Sequence, residues 1–531
     1  MPVDYPTHRG VVVARRGAVA ASQPLAVTAG LRVLEEGGTC VDAAIAVSSV
    51  LTVIEPYASH LGGDAFVVLY EGRSGATTAF NGSGAAPGRA VPSAFPSGIP
   101  ERELRAASVP GLVSCWEALH ARLGRLPWAR LFERGIEYAA DGFLAGYRYC
   151  RSLNAHRESG QPWALDACRL LTGLDRPVRP GDPIVQPALA RTLRLIAEQG
   201  RDAFYDGPIT RDLIAFSDGR GGLFSTEDFR NHVTQIGEPI RTTYRGYTVH
   251  GQPPVSQGLI LLQALNLLEG FDVRGLGFGS ADLVHVAVEA KKLAFADRAA
   301  YLGDPATVRV PLDELLSKRY ADERRRWIDM RHASARCEPG DPLRSTTYFA
   351  VADGEGNGIS FIQSIFHSLG CGAVDPATGV VFNNRMTGFD LDAASPNCLA
   401  PGKRPAHTLN AFVVTDGAKL RWVGGTPGGN VQVQSNLQVL TNVIDFEMNP
   451  QAAIEAPRWE HGAAIGTDPV LRLESRFDEE AFVELRRRGH QVERLAPWGH
   501  GSTFQLIERD PSTGALHAAS DPRGDGHAAG F

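Results

Sequence analysis

Two stretches of the sequence combine residue types that could act on a carbonyl group. The first is the run Gly424-Gly425-Thr426-Pro427-Gly428-Gly429-Asn430, which follows a predicted strand and precedes a predicted helix. Its Gly428-Gly429 pair could present two backbone N–H groups near the helix N-terminus, an arrangement that stabilises an oxyanion. The same spacing also fits a plain tight turn between a strand and a helix, and the sequence leaves both interpretations open.

The second stretch is Thr346-Thr347, at the start of a predicted strand. A threonine hydroxyl is a weak nucleophile unless a base lies beside it. Cleavage of the bond before Thr346 would supply that base, because it would expose the threonine's own α-amine. The residues permit this chemistry without requiring it, and a strand threonine packed through its methyl group is the simpler interpretation.

Several other functions are excluded by what the sequence lacks. It contains no HExxH, GxxxxGK[ST] or GxSxG motif, and its 15 histidines show no metal-ligand spacing, so we expect no metal and no organic cofactor. The run from Arg274 to Gly279 has spaced glycines but not the strand–turn–helix context of a nucleotide loop. A formal net charge of −6 and a pI of about 6.2 argue against nucleic-acid binding.

The sequence also predicts a cellular setting. The apolar run over residues 41–54 is too short and too polar to span a membrane, and residues 1–17 show no secretory signal. The seven cysteines include no CxxC pair, which favours unpaired thiols in a reducing compartment. We therefore expect a cytoplasmic protein without a membrane partner.

The two stretches must be positioned by an ordered fold. Residues 22–38 read as a helix capped by Ser22, and residues 41–54 read as a second helix that is apolar on most sides. Beyond residue 340 strand patterns dominate: residues 345–353 and 358–364 predict one hairpin, and residues 409–415 and 420–425 predict another. Residues 431–446 read as helical. No linker is long enough to separate independent domains.

The motifs, taken in order, resemble those of the γ-glutamyltranspeptidase family. The run from Thr346 to Asp353, followed by Gly356-Asn357, is similar to that family's nucleophile segment. Further collinear motifs span nearly the whole chain: Ala21-Ser22-Gln23-Pro24-Leu25-Ala26, Gly37-Gly38-Thr39-Cys40-Val41-Asp42-Ala43-Ala44, Leu61-Gly62-Gly63-Asp64, Val109-Pro110-Gly111, Phe382-Asn383-Asn384, Pro401-Gly402-Lys403-Arg404-Pro405, Thr426-Pro427-Gly428-Gly429 and Ala519-Ser520-Asp521-Pro522-Arg523.

The resemblance implies an α+β fold, the four-layer αββα sandwich of N-terminal-nucleophile hydrolases. The precursor would cut itself between Ser345 and Thr346 into a large segment (residues 1–345) and a small segment (346–531). Both would form one interleaved fold, an αβ heterodimer that could assemble further. Thr346 would attack an amide of a small molecule.

The resemblance also implies roles for residues around the nucleophile. The Gly428 and Gly429 N–H groups would form the oxyanion hole, and the Thr347 and Ser364 hydroxyls would support Thr346.

Departures from the family pattern bear on the substrate. The family's large-subunit Arg, which holds a substrate α-carboxylate, is missing from the stretch that contains Asn81. Where the family has Asn-Asn-Gln-Met-Asp-Asp-Phe, this chain has Arg385 in place of Gln and Gly388 in place of the second Asp. The Ser-Ser pair after Arg-Pro is replaced by His407-Thr408.

These departures remove an acid that would pair with a substrate ammonium and add a cation suited to a carboxylate. We therefore predict that Arg385, His407, Asn81 and Asn384 contact the substrate. Arg385 as a salt-bridging strut and His407 as a structural histidine stay open as alternatives. Asp64 and Asp521 read as turn caps.

The leading hypothesis is a self-processing threonine amidohydrolase that acts on a small, carboxylate-bearing amide through an acyl-Thr346 intermediate. It resembles the amidase-like branch that includes oxamate amidohydrolase and cephalosporin acylases. The first alternative is a true γ-glutamyl hydrolase or transpeptidase that acts on glutathione-like γ-glutamyl amides. The second is a degenerate homologue that does not cut itself and serves only in binding.

Overall fold

Two facing antiparallel sheets form the centre of the computed structural model, which describes residues 5–334, 346–462 and 469–531. The strands, in chain order, are β1 (Val12–Ala14), β2 (Gly17–Ala21), β3 (Asp64–Tyr70), β4 (Thr77–Gly82), β5 (Phe143–Leu144), β6 (Pro183–Ile184), β7 (Gln235–Gly237), β8 (Ile240–Tyr244), β9 (Tyr247–Gly251), β10 (Thr347–Asp353), β11 (Gly358–Ser364), β12 (Phe412–Asp416), β13 (Lys419–Gly425), β14 (Trp459–His461), β15 (Val470–Glu474), β16 (Gln491–Leu495), β17 (Gln505–Arg509), β18 (Leu516–Ser520) and β19 (His527–Gly530).

The helices cover the outer faces of these sheets. In chain order they are α1 (Pro24–Glu35), α2 (Cys40–Ile54), α3 (Leu112–Leu123), α4 (Glu133–Ala140), α5 (Tyr147–Glu158), α6 (Pro162–Thr172), α7 (Pro187–Gln199), α8 (Asp202–Tyr205), α9 (Pro208–Asp218), α10 (Thr226–Arg230), α11 (Gly258–Leu268), α12 (Val273–Leu276), α13 (Ala281–Tyr301), α14 (Leu312–Leu315), α15 (Lys318–Arg325), α16 (Val431–Ile444), α17 (Pro450–Glu455) and α18 (Glu479–Arg487).

Strand order shows how the chain is interleaved. One sheet, called sheet I, has the order β1-β18-β17-β13-β12-β9-β8, and the other, sheet II, has the order β19-β2-β10-β11-β3-β4-β7. Each sheet contains strands from before and after Thr346. The two segments therefore share both sheets and both cores.

Three apolar layers alternate with the sheets, which confirms the predicted αββα sandwich. Along β10, Tyr348, Ala350 and Ala352 face sheet I, while Phe349 and Val351 face α1 and α2. This alternation follows from the two-residue period of a strand. The outer face of sheet I packs on α11 and α16, and α13 packs on α11.

The position of α2 in the fold explains why its sequence is apolar on most sides. Every residue from Cys40 to Ile54 is buried, because the helix lies between sheet II and an outer shell of helices. Thr39 and Asp42 begin the helix as a reciprocal capping box, in which each side chain accepts the other's backbone N–H. Its last turn delivers Glu55, the C-cap residue, to the rear of sheet II.

Both predicted hairpins are confirmed, as β10–β11 and β12–β13. The predicted cap of the first helix is wrong. Gln23, not Ser22, caps α1, and its side chain accepts the N–H of Leu25. The six cysteines within the described ranges are unpaired, and Cys337 lies outside those ranges. Among the described helices, none combines the length and apolarity that crossing a membrane requires.

Close packing of the two sheets generates a prediction at Gly425. A methyl group added there would lie 2.6 Å from the Tyr348 ring of the facing sheet. We expect Gly425→Ala to lower the free energy of unfolding by about 1–3 kcal/mol, the usual cost of overpacking. Denaturant titration checks this against Gly237→Ala, a strand position with no atom within 4 Å of the added carbon. Equal midpoints for the two variants would contradict the packing argument.

Candidate active site

A row of polar side chains crosses three neighbouring strands at one end of sheet II. Thr347 pairs with Gln363, and Ser364 pairs with Asp64, so Thr346, Ser364 and Asp64 lie side by side. Neighbouring strands are about 4.8 Å apart. Residues two positions apart on a strand face the same side. The residues two positions further inside each of these strands are apolar and face sheet I, so the side chains of Thr346, Ser364 and Asp64 face sheet I as well. The fold thus gathers polar groups where the two sheets meet at their edge.

The Thr346 hydroxyl is held by its neighbour in this row. Its Oγ1 donates to Ser364 Oγ at 3.1 Å, and Ser364 Oγ accepts the Phe366 N–H at 2.8 Å. Phe366 has a φ of +78°, a left-handed conformation that is rare for an aromatic residue. The structure therefore places the Ser364 hydroxyl beside Thr346, as the sequence predicted, and adds a strained residue next to them.

The turn containing Gly428-Gly429 approaches this row from sheet I. Strand β13 runs over β11: Leu420 lies against Gly358, the Gly424 carbonyl accepts from Ser360 Oγ at 3.2 Å, and Gly425 lies on the Tyr348 ring. Continuing in this direction, the chain after Gly425 runs toward the end of the sheets where Thr346 lies. The two glycines and the threonine are thus brought to the same edge.

The Gly428-Gly429 turn presents N–H groups rather than carbonyls. The carbonyls of Gly428 and Gly429 accept the N–H groups of Val431 and Gln432, at 3.0 and 3.2 Å, and so belong to the start of α16. Their own N–H groups donate to no acceptor within the part of the chain that the structure describes. A φ of 130° requires glycine at Gly428, and a φ of 58° favours glycine at Gly429. This geometry suits an anion at the N-terminus of a 14-residue helix.

A buried ion cluster lies at the other end of the row. Arg385, in a short 3₁₀ turn (Arg385–Gly388), directs Nε to Asp64 Oδ2 at 2.9 Å. His407 Nε2 lies 3.1 Å from the same oxygen, and Gly84 donates its N–H to the other oxygen at 3.0 Å. The three charged or polar side chains have no exposed surface. The His407 Nδ1 accepts the Leu409 N–H at 3.4 Å, so Nε2 carries the proton donated to Asp64.

The pKa values in this cluster reflect competition between burial and charge. Burial raises the pKa of Asp64, but the His407 hydrogen bond and the Arg385 charge outweigh it, and the pKa is lower than usual. Burial lowers the pKa of Arg385 to about 10, although Asp64 opposes the shift. Arg385 is therefore a cation at neutral pH.

One edge of the Arg385 guanidinium is uncommitted. Its two terminal nitrogens are buried and have no hydrogen-bond partner in the described ranges. The guanidinium also stacks on the strained Phe366 ring, 4.1 Å from its centroid. A buried planar cation with two unpaired donors is suited to a carboxylate.

Of the two aspartates interpreted from the sequence as turn caps, Asp64 needs correction. Asp64 is not a turn cap: it begins β3 and is the anion shared by Arg385 and His407. Asp521 does cap a turn, since its Oδ1 accepts the Arg523 N–H at 3.0 Å, and it is in addition a buried ion-pair partner, 2.5 Å from Arg458 and 3.1 Å from Arg523. The ion pairs of Asp64 with Arg385 and His407, and of Asp521 with Arg458, join residues that are distant along the chain and therefore leave no local pattern in the sequence.

Asn81 and Asn384 lie near the cluster, but their amides are committed to the protein. Asn81 donates to Gln235 Oε1 at 2.9 Å and accepts from Ser83. Asn384 accepts the His367 N–H at 3.0 Å and donates to the Glu101 carbonyl at 3.3 Å. Substrate contact by either residue stays a prediction.

Thr347 faces away from the Thr346 hydroxyl. Strand alternation directs its side chain to the helix side of sheet II, where its Oγ1 contacts Ser22 and Glu55. The structure therefore does not bring the two threonine hydroxyls together. The sequence analysis missed Phe366 and Glu55 and assigned Asp64 no part in the site, although an acid beside an apolar run was a visible signal at Asp64 and Glu55.

Metal-ligating residue types meet at one place in the described structure, where α13 lies against the chain that follows α18. Ligand atoms of His285, Glu289 and His490 lie within 4.8 Å of one another. However, the two histidines contact each other directly at 2.8 Å, and Glu289 is paired with Lys292 at 2.8 Å. A cation would have to compete with Lys292, so this cluster reads as structural.

Comparisons with known proteins agree with the fold and with the family resemblance of the motifs. The family model described as gamma-glutamyltranspeptidase matches residues 26–531. The chain is 36% identical to the glutathione hydrolase-like YwrD proenzyme of Bacillus subtilis (98% of this chain, 99% of the relative). It is 35% identical to the oxamate amidohydrolase proenzyme of Klebsiella pneumoniae (98% and 99%). It superposes on the crystal structure of cephalosporin acylase from Bacillus halodurans with a TM-score of 0.91 and 36% identity (100% and 98%).

The ion cluster predicts an acid-dependent contribution to stability. Because the pKa of Asp64 is lowered by folding, its charge stabilises the protein above the unfolded pKa of about 3.9, and this contribution is lost as the pH falls through the folded value. Asp64→Asn should cost about 3–5 kcal/mol at pH 7, since Arg385 loses its buried counter-ion. The gap between the denaturation midpoints of Asp64→Asn and wild type should narrow as the pH falls below about 4.

The exposed hairpin residue Asp416 provides the control, and Asp416→Asn should leave the midpoint unchanged. A gap between Asp64→Asn and wild type that is the same at pH 7 and pH 3 would contradict the assigned ion pairing.

Proposed function

This chain belongs to the γ-glutamyltranspeptidase family of hydrolases and acyltransferases, and from that premise we propose that it is a self-processing amidohydrolase for small, carboxylate-bearing amides. The reaction has two parts: release of Thr346 as a chain terminus, and use of that terminus as nucleophile. The Ser345–Thr346 junction itself lies outside the described residues.

Cleavage before Thr346 would leave its α-amine as the base. The Thr346 hydroxyl then attacks the amide carbonyl and passes its proton to the α-amine. Negative charge develops on the carbonyl oxygen, where the Gly428 and Gly429 N–H groups would stabilise it. The C–N bond breaks, and the leaving amine takes the proton. Water attacks the acyl-Thr346 ester by the reverse roles and releases the carboxylic acid.

The uncommitted edge of Arg385 is the observation that carries the substrate assignment. A carboxylate that reached Arg385 would supply the acceptors that its two terminal nitrogens lack within the described structure. An unpaired buried donor is costly, so occupancy by an anion is favoured. A substrate α-ammonium would need an acid, and Asp64 is already engaged by Arg385, His407 and the Gly84 N–H.

The relatives' names support two substrate classes. One relative is named an oxamate amidohydrolase and a structural neighbour a cephalosporin acylase, whereas another relative is named glutathione hydrolase-like. A γ-glutamyl substrate is therefore the second candidate. The processed segments would stay together as an αβ heterodimer, since each sheet contains strands of both.

Self-processing is tested by intact-mass analysis of purified protein. We expect two polypeptides, residues 1–345 and 346–531, and a single uncut chain for Thr346→Ala, because the nucleophile would be absent. Thr415→Val, a buried strand threonine in sheet I, serves as the matched control and should be cut like wild type. A wild-type protein that stays uncut and inactive would favour a non-processing binding protein.

Substrate class is tested with p-nitroanilides that carry a succinyl, glutaryl, acetyl or γ-glutamyl group, and with oxamate. We expect turnover of the carboxylate-bearing substrates that lack an α-amine. Arg385→Met should lower their kcat/KM about 10- to 100-fold more than that of the acetyl anilide, which lacks the carboxylate; this difference is the value of charge-assisted hydrogen bonds.

The matched control is Arg421→Met, which removes an arginine paired with Glu508 in sheet I. It should change kcat/KM neither for the carboxylate-bearing substrates nor for the acetyl anilide. Efficient turnover of γ-glutamyl anilide by wild type, exceeding that of the other anilides, would overturn the assignment of Arg385 in favour of the second candidate.

A further inference from the structure

Behind the candidate nucleophile lies a closed triangle of polar groups. On the helix side of sheet II, Thr347 Oγ1 donates to Glu55 Oε2 at 2.7 Å, and Ser22 Oγ lies 2.7 Å from the same oxygen. The two hydroxyl oxygens are 2.6 Å apart. The three residues come from the start of β10, the end of α2 and the end of β2, so the triangle ties three elements together.

The triangle is buried and contains an acid. Ser22, Glu55 and Thr347 are 5%, 2% and 1% exposed, respectively. A carboxylate in such surroundings is costly unless its oxygens accept hydrogen bonds. Oε2 faces the two hydroxyls, while Oε1 faces the Tyr57 hydroxyl at 3.5 Å, and Arg148 supplies the neighbouring positive charge. These contacts fix the position of the Thr347 side chain.

Fixing Thr347 matters because of what precedes it. After the proposed cleavage, Thr346 would keep one covalent connection to the protein, its peptide bond to Thr347. Ladder pairing of β10 with β11 begins at Thr347, opposite Gln363, but pairing with β2 on the other edge begins only at Phe349, opposite Ala21. Between that pair and the chain end, the Thr347 side chain is held by the triangle on one side of the sheet, and the Thr346 hydroxyl contacts Ser364 on the other.

We propose that Glu55 is a positioning residue, which sets the attack geometry of Thr346 by holding the Thr347 hydroxyl together with Ser22. This inference rests on the proposed function. It gives the second threonine of the pair a role distinct from direct support of the nucleophile. A displacement of the nucleophile by about 1 Å is enough to lower the rate about 100-fold.

The test compares Thr347→Val, which keeps the shape but removes the hydroxyl, with Thr347→Ser, which keeps the hydroxyl. We expect Thr347→Val to lower kcat about 10- to 100-fold and to leave KM within about threefold, because substrate contacts are unchanged. Thr347→Ser should restore kcat to within about threefold of wild type. The self-cleavage rate of the precursor should follow the same order.

Ser22→Ala gives a second, milder probe, since it removes one side of the triangle and leaves β10 untouched. We expect a smaller loss of kcat than with Thr347→Val. The double variant should lose less than the product of the single effects, because both hydroxyls serve one carboxylate. Thr415→Val, whose hydroxyl contacts His250 in sheet I, is the matched control and should retain wild-type kcat and KM.

Three outcomes would overturn the inference. They are a wild-type kcat in both Thr347→Val and Ser22→Ala, a KM change as large as the kcat change, and a Thr347→Ser variant as impaired as Thr347→Val. If Thr347→Val fails to fold, Ser22→Ala decides the question. An uncut, inactive wild-type protein would overturn the proposed function, whereas a processed, active wild type with unaffected variants would overturn this inference alone.

Discussion

Asp64 is charged and has no exposed surface, and the site around it is arranged to compensate that charge. Arg385, His407 and the Gly84 N–H surround its two oxygens, and a buried carboxylate without such partners would be too costly to keep ionised. Arg385, His407 and the Gly84 N–H all bond to Asp64, so Nε of Arg385 is held at that carboxylate. The two terminal nitrogens of Arg385 have no partner within the described residues. The electrostatic character of the site thus follows from one acid that the protein satisfies internally.

The register of sheet II connects this acid to the nucleophile. Antiparallel pairing of β10, β11 and β3 brings Thr346, Ser364 and Asp64 into one row, and strand alternation turns them to the same side. A shift of one residue in β10 would exchange the sides of Thr346 and Thr347. The apolar residues two positions further inside each strand (Tyr348, Ile362 and Phe66) set this register. Core packing and the candidate chemistry therefore depend on the same alternation.

Much of the architecture could be predicted from the sequence because it depends on local patterns. Two-residue alternation located both hairpins, helical periodicity located α2 and α16, and the glycine pair located the turn between β13 and α16. The cap of α1 could not be located in this way. Ser22 and Gln23 are both able to cap a helix, and Ser22 is drawn instead into contact with Glu55, a residue 33 positions away.

The sequence by itself determined the family, the candidate nucleophile and the glycine pair, because these are carried by contiguous residue types. The tertiary structure alone decided which charges meet. Asp64 and Arg385 are 321 positions apart, and the Thr347 and Glu55 side chains are 292 positions apart. A pairing of this kind leaves no local period or composition, since it arises from strand order and from the depth at which each side chain is buried. The substrate-binding character of Arg385 and the positioning role of Glu55 are both inferred from such pairings.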